Sequence, residues 1–450
     1  MSESVDVAII GAGLAGLSAA RALHRAGRSV QILEARDRVG GRTAPGTILG
    51  QPVDVGGQWV GPTQHQVMAL CREFGFEVFP QHDQGKRLIE YRGRLRHYTG
   101  TIPKLPILAL LEADATVKRI NRLAKEIDPA QPWASPKAAE FDAQTAGEWV
   151  ARHLRTKGAR ALIDIAARAI FSCEPRDVSF LYFLTYIAAA GTFEELAEVT
   201  GGAQQDRIRG GAFQISQKLA AALPAEVLRL EAPVHAVVES GEGLEVQHAG
   251  GSLRARRVIV ACAPQLVDRI RFAPELPAQR SLLASHMPMG SVIKLLVAYP
   301  KPFWREAGCS GEVVSDAGPF SPVFDACVPG RGEGFLVGFI EGDHAREFGA
   351  LDEAARKKVV VDCLVRYFGP QAAAPIGYVD KNWCADPWSR GCYVGLAQPG
   401  VLTAAGTALR APWRRIHWAG TETATRWIGY MDGAVESGLR AAAEATAALS

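Results

Sequence analysis

Three glycines and one acid near the N-terminus have the types and spacing to bind a dinucleotide. Gly11, Gly13 and Gly16 form the stretch GAGLAG, and Glu34 follows one helix and one strand later. Gly11 permits a tight turn, Gly13 lets a pyrophosphate approach the backbone, and Gly16 allows a helix to pack closely on a strand. Glu34 is placed to accept hydrogen bonds from both ribose hydroxyls of an adenosine, which argues against a 2′-phosphate. Together these residues predict an adenine dinucleotide site.

The elements that must position these residues have the pattern of a βαβ unit. An apolar strand is predicted at VDVAII (5–10), a helix at LSAARALHRAG (17–27) and a second strand at RSVQILE (28–34). A lone GxGxxG is weak evidence, but strand, glycines, helix, second strand and acid in register are strong. A glycine turn between packed elements would leave Glu34 unexplained.

The composition narrows the class of protein. The chain has 450 residues, 48% hydrophobic and 22% charged, which is an ordinary globular balance and allows two domains. A net charge of +3, with acids and bases interspersed, argues against a nucleic-acid partner. The eight cysteines are scattered, which fits a reducing cytoplasm. We expect neither a metal site nor a membrane anchor. A homodimer is left open.

The segment ARDRVGGRT, directly after Glu34, indicates which dinucleotide binds. Its two glycines let the backbone pass close to the same ligand, while Arg36 and Arg42 supply cationic donors. Each arginine taken alone could instead be a surface residue. The segment, with Gly41 at its centre, resembles the extended fingerprint of FAD-binding flavoproteins of the glutathione-reductase-like and amine oxidase group.

Two C-terminal blocks extend this resemblance: KNWCADPWSRGCYVGLAQPG (381–400) and RIHWAGTETATRWIGYMDGAVESGLRAA (415–442). By these blocks, the chain resembles the flavin-containing monoamine oxidase family along nearly its whole length. The resemblance implies an α/β fold: a Rossmann-like FAD-binding domain of the glutathione-reductase-like type, interleaved with an α+β substrate-binding domain. We assign residues 1–78, 204–289 and 385–450 to the first domain. Residues 79–203, largely helical in pattern, and 290–384 are assigned to the second.

The resemblance also implies contacts to FAD beyond the N-terminal unit. DVGGQWVGPTQ (54–64) is similar to a flavin-contacting segment of monoamine oxidases. Cys392 aligns with a cysteine that some members join to the flavin by a thioether, and a free buried cysteine stays the alternative. The contact residues implied in this way are Gly57, Gln58, Trp59, Val234, Trp383, Cys392, Gly420, Glu422 and Met431.

Three residues are candidates for the catalytic site. Lys294 lies alone among apolar residues in GSVIKLLVAY, so it is either an edge lysine with its head in water or buried for a reason. The resemblance implies that it holds a water against flavin N5 and assists the reaction with oxygen. Tyr393 and Tyr430 match two rings that flank the substrate amine, although each could be a core tyrosine. The glycines beside Tyr430 are expected to make room for the flavin.

The resemblance implies oxidative deamination of a small-molecule amine by oxygen, giving an imine and then a carbonyl, with ammonia and hydrogen peroxide. A hydrophobic primary amine, arylalkyl or cycloalkyl, is favoured over the alternative of an L-amino acid, because no arginine is placed to bind a substrate carboxylate. Glu194, Glu195 and Glu198 keep a diamine or polyamine open. A nicotinamide-dependent dehydrogenase and a non-catalytic flavin-binding scaffold are further alternatives. The predicted pocket residues are Gln204, Phe171, Leu196 and Phe324.

Overall fold

The computed structural model describes residues 4–100 and 103–449. These residues form a mixed α/β fold with two large sheets and a helical layer. Parts of the predicted domains, residues 1–3, 101–102 and 450, lie outside the described residues.

The strands and helices alternate along much of the chain. The strands are β1 Ser4–Ile10, β2 Val30–Leu33, β3 Pro45–Ile48, β4 Gln51–Asp54, β5 Trp59–Val60, β6 Val78–Pro80, β7 Lys86–Tyr91, β8 Arg94–Tyr98, β9 Asp206–Ile208, β10 Leu228–Arg229, β11 Val234–Ser240, β12 Gly243–His248, β13 Gly251–Val260, β14 Arg271–Ala273, β15 Val292–Tyr299, β16 Cys309–Ser315, β17 Phe320–Asp325, β18 Gly334–Glu341, β19 Gly377–Asn382 and β20 Ile416–Trp418. The α-helices are α1 Leu14–Arg25, α2 His65–Glu73, α3 Ile107–Ala124, α4 Ala138–Asp142, α5 Ala146–His153, α6 Lys157–Phe171, α7 Phe180–Ala190, α8 Phe193–Ala197, α9 Phe213–Ala221, α10 Ala278–His286, α11 Phe303–Glu306, α12 Gly342–Phe348, α13 Glu353–Phe368, α14 Val401–Ala405 and α15 Met431–Leu449.

The first sheet contains the predicted βαβ unit. Its order is β10-β2-β1-β13-β12-β11-β14, with β20 also paired to β13. Strands β10, β2, β1, β13 and β20 run parallel, whereas β13, β12 and β11 form an antiparallel meander. The end of β1 is buried on both faces, as its unbroken apolar sequence requires. The predicted strand–helix–strand order is confirmed, and Glu34 follows β2 directly.

Helices α1 and α15 pack together against one face of this sheet through close backbone contacts. A Cβ atom at Gly16 would overlap the carbonyl oxygen of Gly11, and one at Gly438 would overlap that of Ala15. Only glycine lets the start of α1 approach β1 and α15 so closely. This packing fixes the N-terminus of α1 beside the carboxyl end of β1.

The second sheet has the order β19-β15-β18-β17-β16-β7-β8. It is antiparallel except where β16 runs parallel to β7. Strands β15 and β18 lie in its interior and are buried along their whole length. Lys294 is therefore a core lysine, not an edge lysine.

Residues 79–203 are less helical than predicted. Strands β7 and β8 form a hairpin in this range and complete the second sheet, while α3 to α8 make the helical layer. The hairpin turn uses Arg92 and Gly93, whose φ values are 52° and 69°. Two successive residues with positive φ suit a tight hairpin turn.

Candidate active site

A cavity of about 440 Å³ connects the first sheet, the second sheet and the helical layer. Its walls come from segments far apart in the sequence, so the fold alone brings them together. They include, among others, Gly11, Gly13, Glu34, Arg36, Gly41, Arg42, Gly57, Gln58, Trp59, Arg87, Tyr98, Tyr186, Leu196, Glu198, Gln204, Val234, Glu312, Phe324, Phe339, Cys392, Tyr393, Gly420, Tyr430 and Met431.

One end of the cavity is the turn between β1 and α1. Gly11 has a φ of 104°, which glycine adopts without strain, and a Cβ atom added at Gly13 would meet no other residue within 4 Å. The carboxylate of Glu34 accepts hydrogen bonds from the backbone N–H groups of Ala12 at 2.7 Å and Arg36 at 2.9 Å. The carboxylate is thereby held in place beside an open stretch of backbone.

Two arginines line the cavity with their own carboxylate partners. Arg36 donates to Asp386 at 2.7 Å. Arg42 donates to the two carboxylate oxygens of Glu422 at 2.6 and 3.1 Å, and to the backbone oxygen of Tyr393 at 2.8 Å. Burial opposes both charges, but Arg42 holds the pKa of Glu422 below its usual range, and Glu422 holds that of Arg42 above. Glu422 does not line the cavity, so it positions Arg42 from behind.

Lys294 lies one layer behind the cavity wall. Its Nζ donates to the backbone oxygen of Gly56 at 2.7 Å and to Oε1 of Gln58 at 2.6 Å. Burial lowers the pKa of Lys294, and the nearby carboxylate of Asp54 opposes this shift. Lys294 therefore acts on the cavity through Gln58, which lines the cavity.

Asp54 is a buried acid that the sequence did not single out. It accepts hydrogen bonds from the backbone N–H groups of Ala212 at 2.8 Å and Phe213 at 3.1 Å. Burial raises its pKa, and the charge of Lys294 opposes that rise. The charges of Asp54 and Lys294 thus influence each other beneath the cavity wall.

The two predicted cage tyrosines line the same cavity. Phe339 packs edge-on against Tyr393, with ring centroids 5.9 Å apart at 87°. Trp427 packs against Tyr430 at 4.9 Å and 75°, and Tyr186 lies 6.0 Å from Tyr430. Each tyrosine is therefore held by further aromatic rings.

The glycines beside Tyr430 lie in close contact with the residues that support it. Gly429 has a φ of 85°, and a Cβ atom there would overlap the hydroxyl group of Tyr186. A Cβ atom at Gly433 would overlap the carbonyl oxygen of Trp427. These glycines make room for the residues that support Tyr430, and Gly429 also lines the cavity, so that they make room for the flavin stays a prediction.

Like Glu422, Phe171 and Trp383 are predicted contact residues that do not line the cavity. Phe171 is fully buried and packs behind Tyr186, with ring centroids 4.6 Å apart. Trp383 is buried and donates from Nε1 to the backbone oxygen of Val55 at 2.9 Å. Both residues support the wall from behind. Gln204, Leu196 and Phe324 do line the cavity, and Gln204 donates to the backbone oxygen of Leu196 at 3.2 Å.

Charged residues line the end of the cavity remote from the glycine turn. Arg87 lies 3.0 Å from a carboxylate oxygen of Glu312 and 3.8 Å from one of Glu198. Burial raises the pKa of Glu312 to about 7, because Arg87 only partly offsets it. Sequence patterns could not bring these residues together, since they come from three distant segments.

Comparison with known proteins identifies the family and the fold. The family model described as flavin containing amine oxidoreductase matches residues 14–446. A "probable flavin-containing monoamine oxidase A" of Dictyostelium discoideum is 41% identical over 446 residues, 99% of this chain and 98% of the relative. The chain belongs to the flavin-containing amine oxidoreductases.

Two solved amine oxidases share the whole fold. Cyclohexylamine oxidase from Brevibacterium oxydans IH-35A is 35% identical, with a TM-score of 0.94 and 99% of both chains covered. Wild-type putrescine oxidase bound to putrescine is 33% identical, also with a TM-score of 0.94 and 99% of both chains covered. This chain is therefore an oxidoreductase of the amine oxidase family, and its cofactor is FAD.

The cavity of this amine oxidase fits FAD at two independent points. The open backbone at Gly13 leaves space for a pyrophosphate at the N-terminus of α1. Nε2 of Gln58 is buried and has no hydrogen-bond partner among the described residues, so it can donate to a flavin ring. Among residues 4–100 and 103–449, no helix of this amine oxidase is long and apolar enough to cross a membrane.

Alanine substitutions at Gly13 and Gly16 should separate FAD binding from folding in this amine oxidase. Gly13→Ala places its methyl group in open space at a φ of −73°, so the free energy of unfolding should change by about 1 kcal/mol or less. FAD affinity should fall at least about tenfold, because the methyl group takes space the cofactor needs. Gly16→Ala should instead destabilise the apoprotein by about 1–3 kcal/mol, since its methyl group meets a carbonyl oxygen.

Urea unfolding of both apoproteins and FAD titration by fluorescence would measure the two effects. A Gly13→Ala apoprotein that is as unstable as Gly16→Ala, or one that binds FAD with unchanged affinity, would contradict the assignment of Gly13 to the cofactor cradle.

Proposed function

We propose that this chain catalyses the oxidative deamination of a hydrophobic primary amine, arylalkyl or cycloalkyl, with oxygen as the electron acceptor. The observation that carries this proposal is a single cavity that joins a dinucleotide cradle to Tyr393 and Tyr430. In the overall reaction, R₂CH–NH₂ and O₂ give R₂C=NH and H₂O₂, and water then converts the imine to a carbonyl and ammonia.

FAD, when bound, accepts a hydride equivalent from the amine and passes two electrons to oxygen. We propose that β1, α1 and β2 hold its adenosine half in the manner of glutathione-reductase-like domains. In this proposal the α1 N-terminus faces the pyrophosphate, and Glu34 accepts from the ribose hydroxyls. Arg36 and Arg42 border the same cavity as donors.

The tyrosine pair and the apolar wall select a neutral amine. Ring faces are electron-rich, so Tyr393 and Tyr430 attract the amine nitrogen, and the surrounding apolar side chains disfavour its protonated form. Leu196 and Phe324 exclude water and limit the orientation of the α-carbon. The protein needs no side-chain acid or base for the C–H step in this account.

Product stoichiometry tests this function. The purified protein is incubated with benzylamine or cyclohexylamine in air, and oxygen, hydrogen peroxide and ammonia are measured. We expect one peroxide and one ammonia for each oxygen consumed. Peroxide without ammonia, or a flavin-containing protein that consumes no oxygen with any amine, would contradict it and favour a scaffold role.

Diamine oxidation is the second candidate, and the charged end of the cavity favours it. Glu198 and Glu312 face the single cation Arg87 there, so a second ammonium group would meet an excess of carboxyl groups. However, Arg87 contacts both acids, and burial raises the pKa of each. A part of the negative charge is thus already cancelled, which favours the hydrophobic amine. Glu194 is engaged elsewhere, as it accepts from Asn121 at 2.7 Å.

Butylamine and putrescine distinguish the two candidates, because they differ only in the second amino group. We expect kcat/KM for butylamine to exceed that for putrescine at least about tenfold, since the second ammonium must be desolvated. Glu198→Gln and Glu312→Gln should change the butylamine value less than about twofold. A preference for putrescine that either substitution reduces about tenfold would establish diamine oxidation instead.

A further inference from the structure

The hydroxyl group of Tyr393 reaches a buried carboxyl group outside the cavity. Glu341 is the last residue of β18, whose eight residues are all buried, and it is 2% exposed. Tyr393 donates to its Oε1 at 2.9 Å, and Ser172 donates to the same oxygen at 3.3 Å. Oε2 is buried without a hydrogen-bond partner among the described residues. The carboxyl group therefore serves mainly the tyrosine.

No cation offsets the burial of Glu341 by direct contact in the described part of the chain. The charged groups that act on Glu341 are Arg168 and Glu174, which pair with each other at 3.2 Å. Burial raises the pKa of Glu341 to about 8, against the hydrogen bonds from Tyr393 and Ser172. An apolar residue would fill this position without the cost of burying a carboxyl group. The buried acid at this position therefore indicates a role that an apolar residue could not perform.

We propose that Glu341 is a positioning residue for amine oxidation, which fixes the plane of the Tyr393 ring by accepting its hydroxyl hydrogen bond. This inference rests on the proposed function of Tyr393 as one wall of the amine cage. Three contacts hold Tyr393: Phe339 packs on its ring, Arg42 donates to its backbone oxygen, and Glu341 accepts from its hydroxyl group. Without Glu341, the buried hydroxyl would lose its acceptor, and the ring would turn to find another.

Crystal structures of the FAD-bound wild type, Glu341→Leu and Glu341→Gln test the positioning directly. We expect the Tyr393 ring to leave its wild-type plane in Glu341→Leu and to keep it in Glu341→Gln, because the amide oxygen still accepts. An unchanged ring in Glu341→Leu would overturn the proposal. If the leucine variant does not fold, Glu341→Ala replaces it under the same criterion.

A ligand that cannot be oxidised gives a second readout without turnover. tert-Butylamine has no hydrogen on its α-carbon, so its dissociation constant can be measured from the flavin absorbance change alone. Weakening by about fivefold or more in Glu341→Leu, with a value near wild type in Glu341→Gln, is the expected result. Equal weakening in both variants would indicate that the charge, not the hydrogen bond, matters.

A double-mutant cycle separates positioning from general structural damage. Glu341→Leu should lower the anaerobic rate of flavin bleaching by benzylamine about tenfold, but less than about twofold in a Tyr393→Phe background, where the hydroxyl is absent. Equal losses in both backgrounds would overturn the proposal.

The pH dependence of the same rate adds a specific signature. The wild type should show a step near pH 8 that Glu341→Gln lacks, while the substrate amine titrates alike with both proteins. If Glu341→Gln keeps this step, the step belongs to another titrating group. A wild type bleached by no amine would contradict the proposed function, and the crystal structures would still decide the role of Glu341.

Discussion

Replacing Arg42 with leucine is expected to cost about 3–5 kcal/mol of unfolding free energy and to abolish FAD binding. Glu422 is 1% exposed and receives two hydrogen bonds from Arg42, so the substitution leaves a buried carboxylate without its cation. Its other donor, the backbone N–H of Gly395 at 3.1 Å, carries no charge. Urea unfolding of the apoprotein and the flavin absorbance of the purified variant measure the two effects.

The double variant Arg42→Leu/Glu422→Leu is the matched control. Removing both charges avoids the unpaired carboxylate, so most of the lost stability should return, whereas FAD binding should not. A double variant as unstable as the single one would show that the ion pair is not the cause.

The same pair predicts how wild-type stability depends on pH. Burial opposes ionisation of Glu422, but Arg42 holds its pKa below the usual glutamate value. The contribution of ionised Glu422 to the free energy of unfolding is therefore complete above about pH 4.3. It is lost as the pH falls through the lowered pKa of Glu422. The double variant should lack this part of the acid loss, which acid unfolding curves of both apoproteins would show.

Replacing Lys294 with methionine is expected to slow the reaction of the reduced enzyme with oxygen about 10²–10³-fold, while anaerobic bleaching changes less than about threefold. Lys294 contacts Gln58 and Gly56 at the cavity wall, where a positive charge stabilises negative charge that develops during reduction of oxygen. Stopped-flow mixing of the reduced enzyme with oxygen measures this rate. Unchanged reoxidation would remove the role of Lys294.

The rate of reoxidation should also depend on pH, because only the charged form of Lys294 assists it. Burial lowers the pKa of Lys294, although Asp54 opposes the shift. As the pH rises, Lys294 therefore loses its charge before the usual lysine pKa of about 10.4 is reached. Reoxidation should therefore fall as the pH rises through the lowered pKa. Asp54→Asn should move this fall to lower pH, and Lys294→Met should show no fall. The same midpoint in wild type and Asp54→Asn would contradict the coupling.

The N-terminal unit could be predicted because its signals are local. Strand, glycines, helix and Glu34 follow one another within 34 residues, and each depends on its neighbours in sequence. The hairpin at 86–98 was not predicted although Arg92-Gly93 is a suitable turn, because KRLIEY in β7 does not alternate polar and apolar residues and so gives no clear strand signal.

The cavity wall could be predicted only in part, because it is built from long-range contacts. Tyr186 lies in a helix that is apolar all round, so nothing in its sequence shows which ring faces the cavity. Phe171, the last residue of the amphipathic helix α6, turns to the core instead. Glu341 carried one usable signal, an acid at the end of an apolar strand, but its partner Tyr393 is 52 residues away.

Anaerobic bleaching of the flavin by an amine tests the central claim most directly. The visible spectrum of the purified protein is recorded under argon, before and after addition of benzylamine or cyclohexylamine, and again after admission of air. We expect a flavin band that bleaches with the amine and returns with oxygen. A flavin band that no amine bleaches would contradict the proposed function.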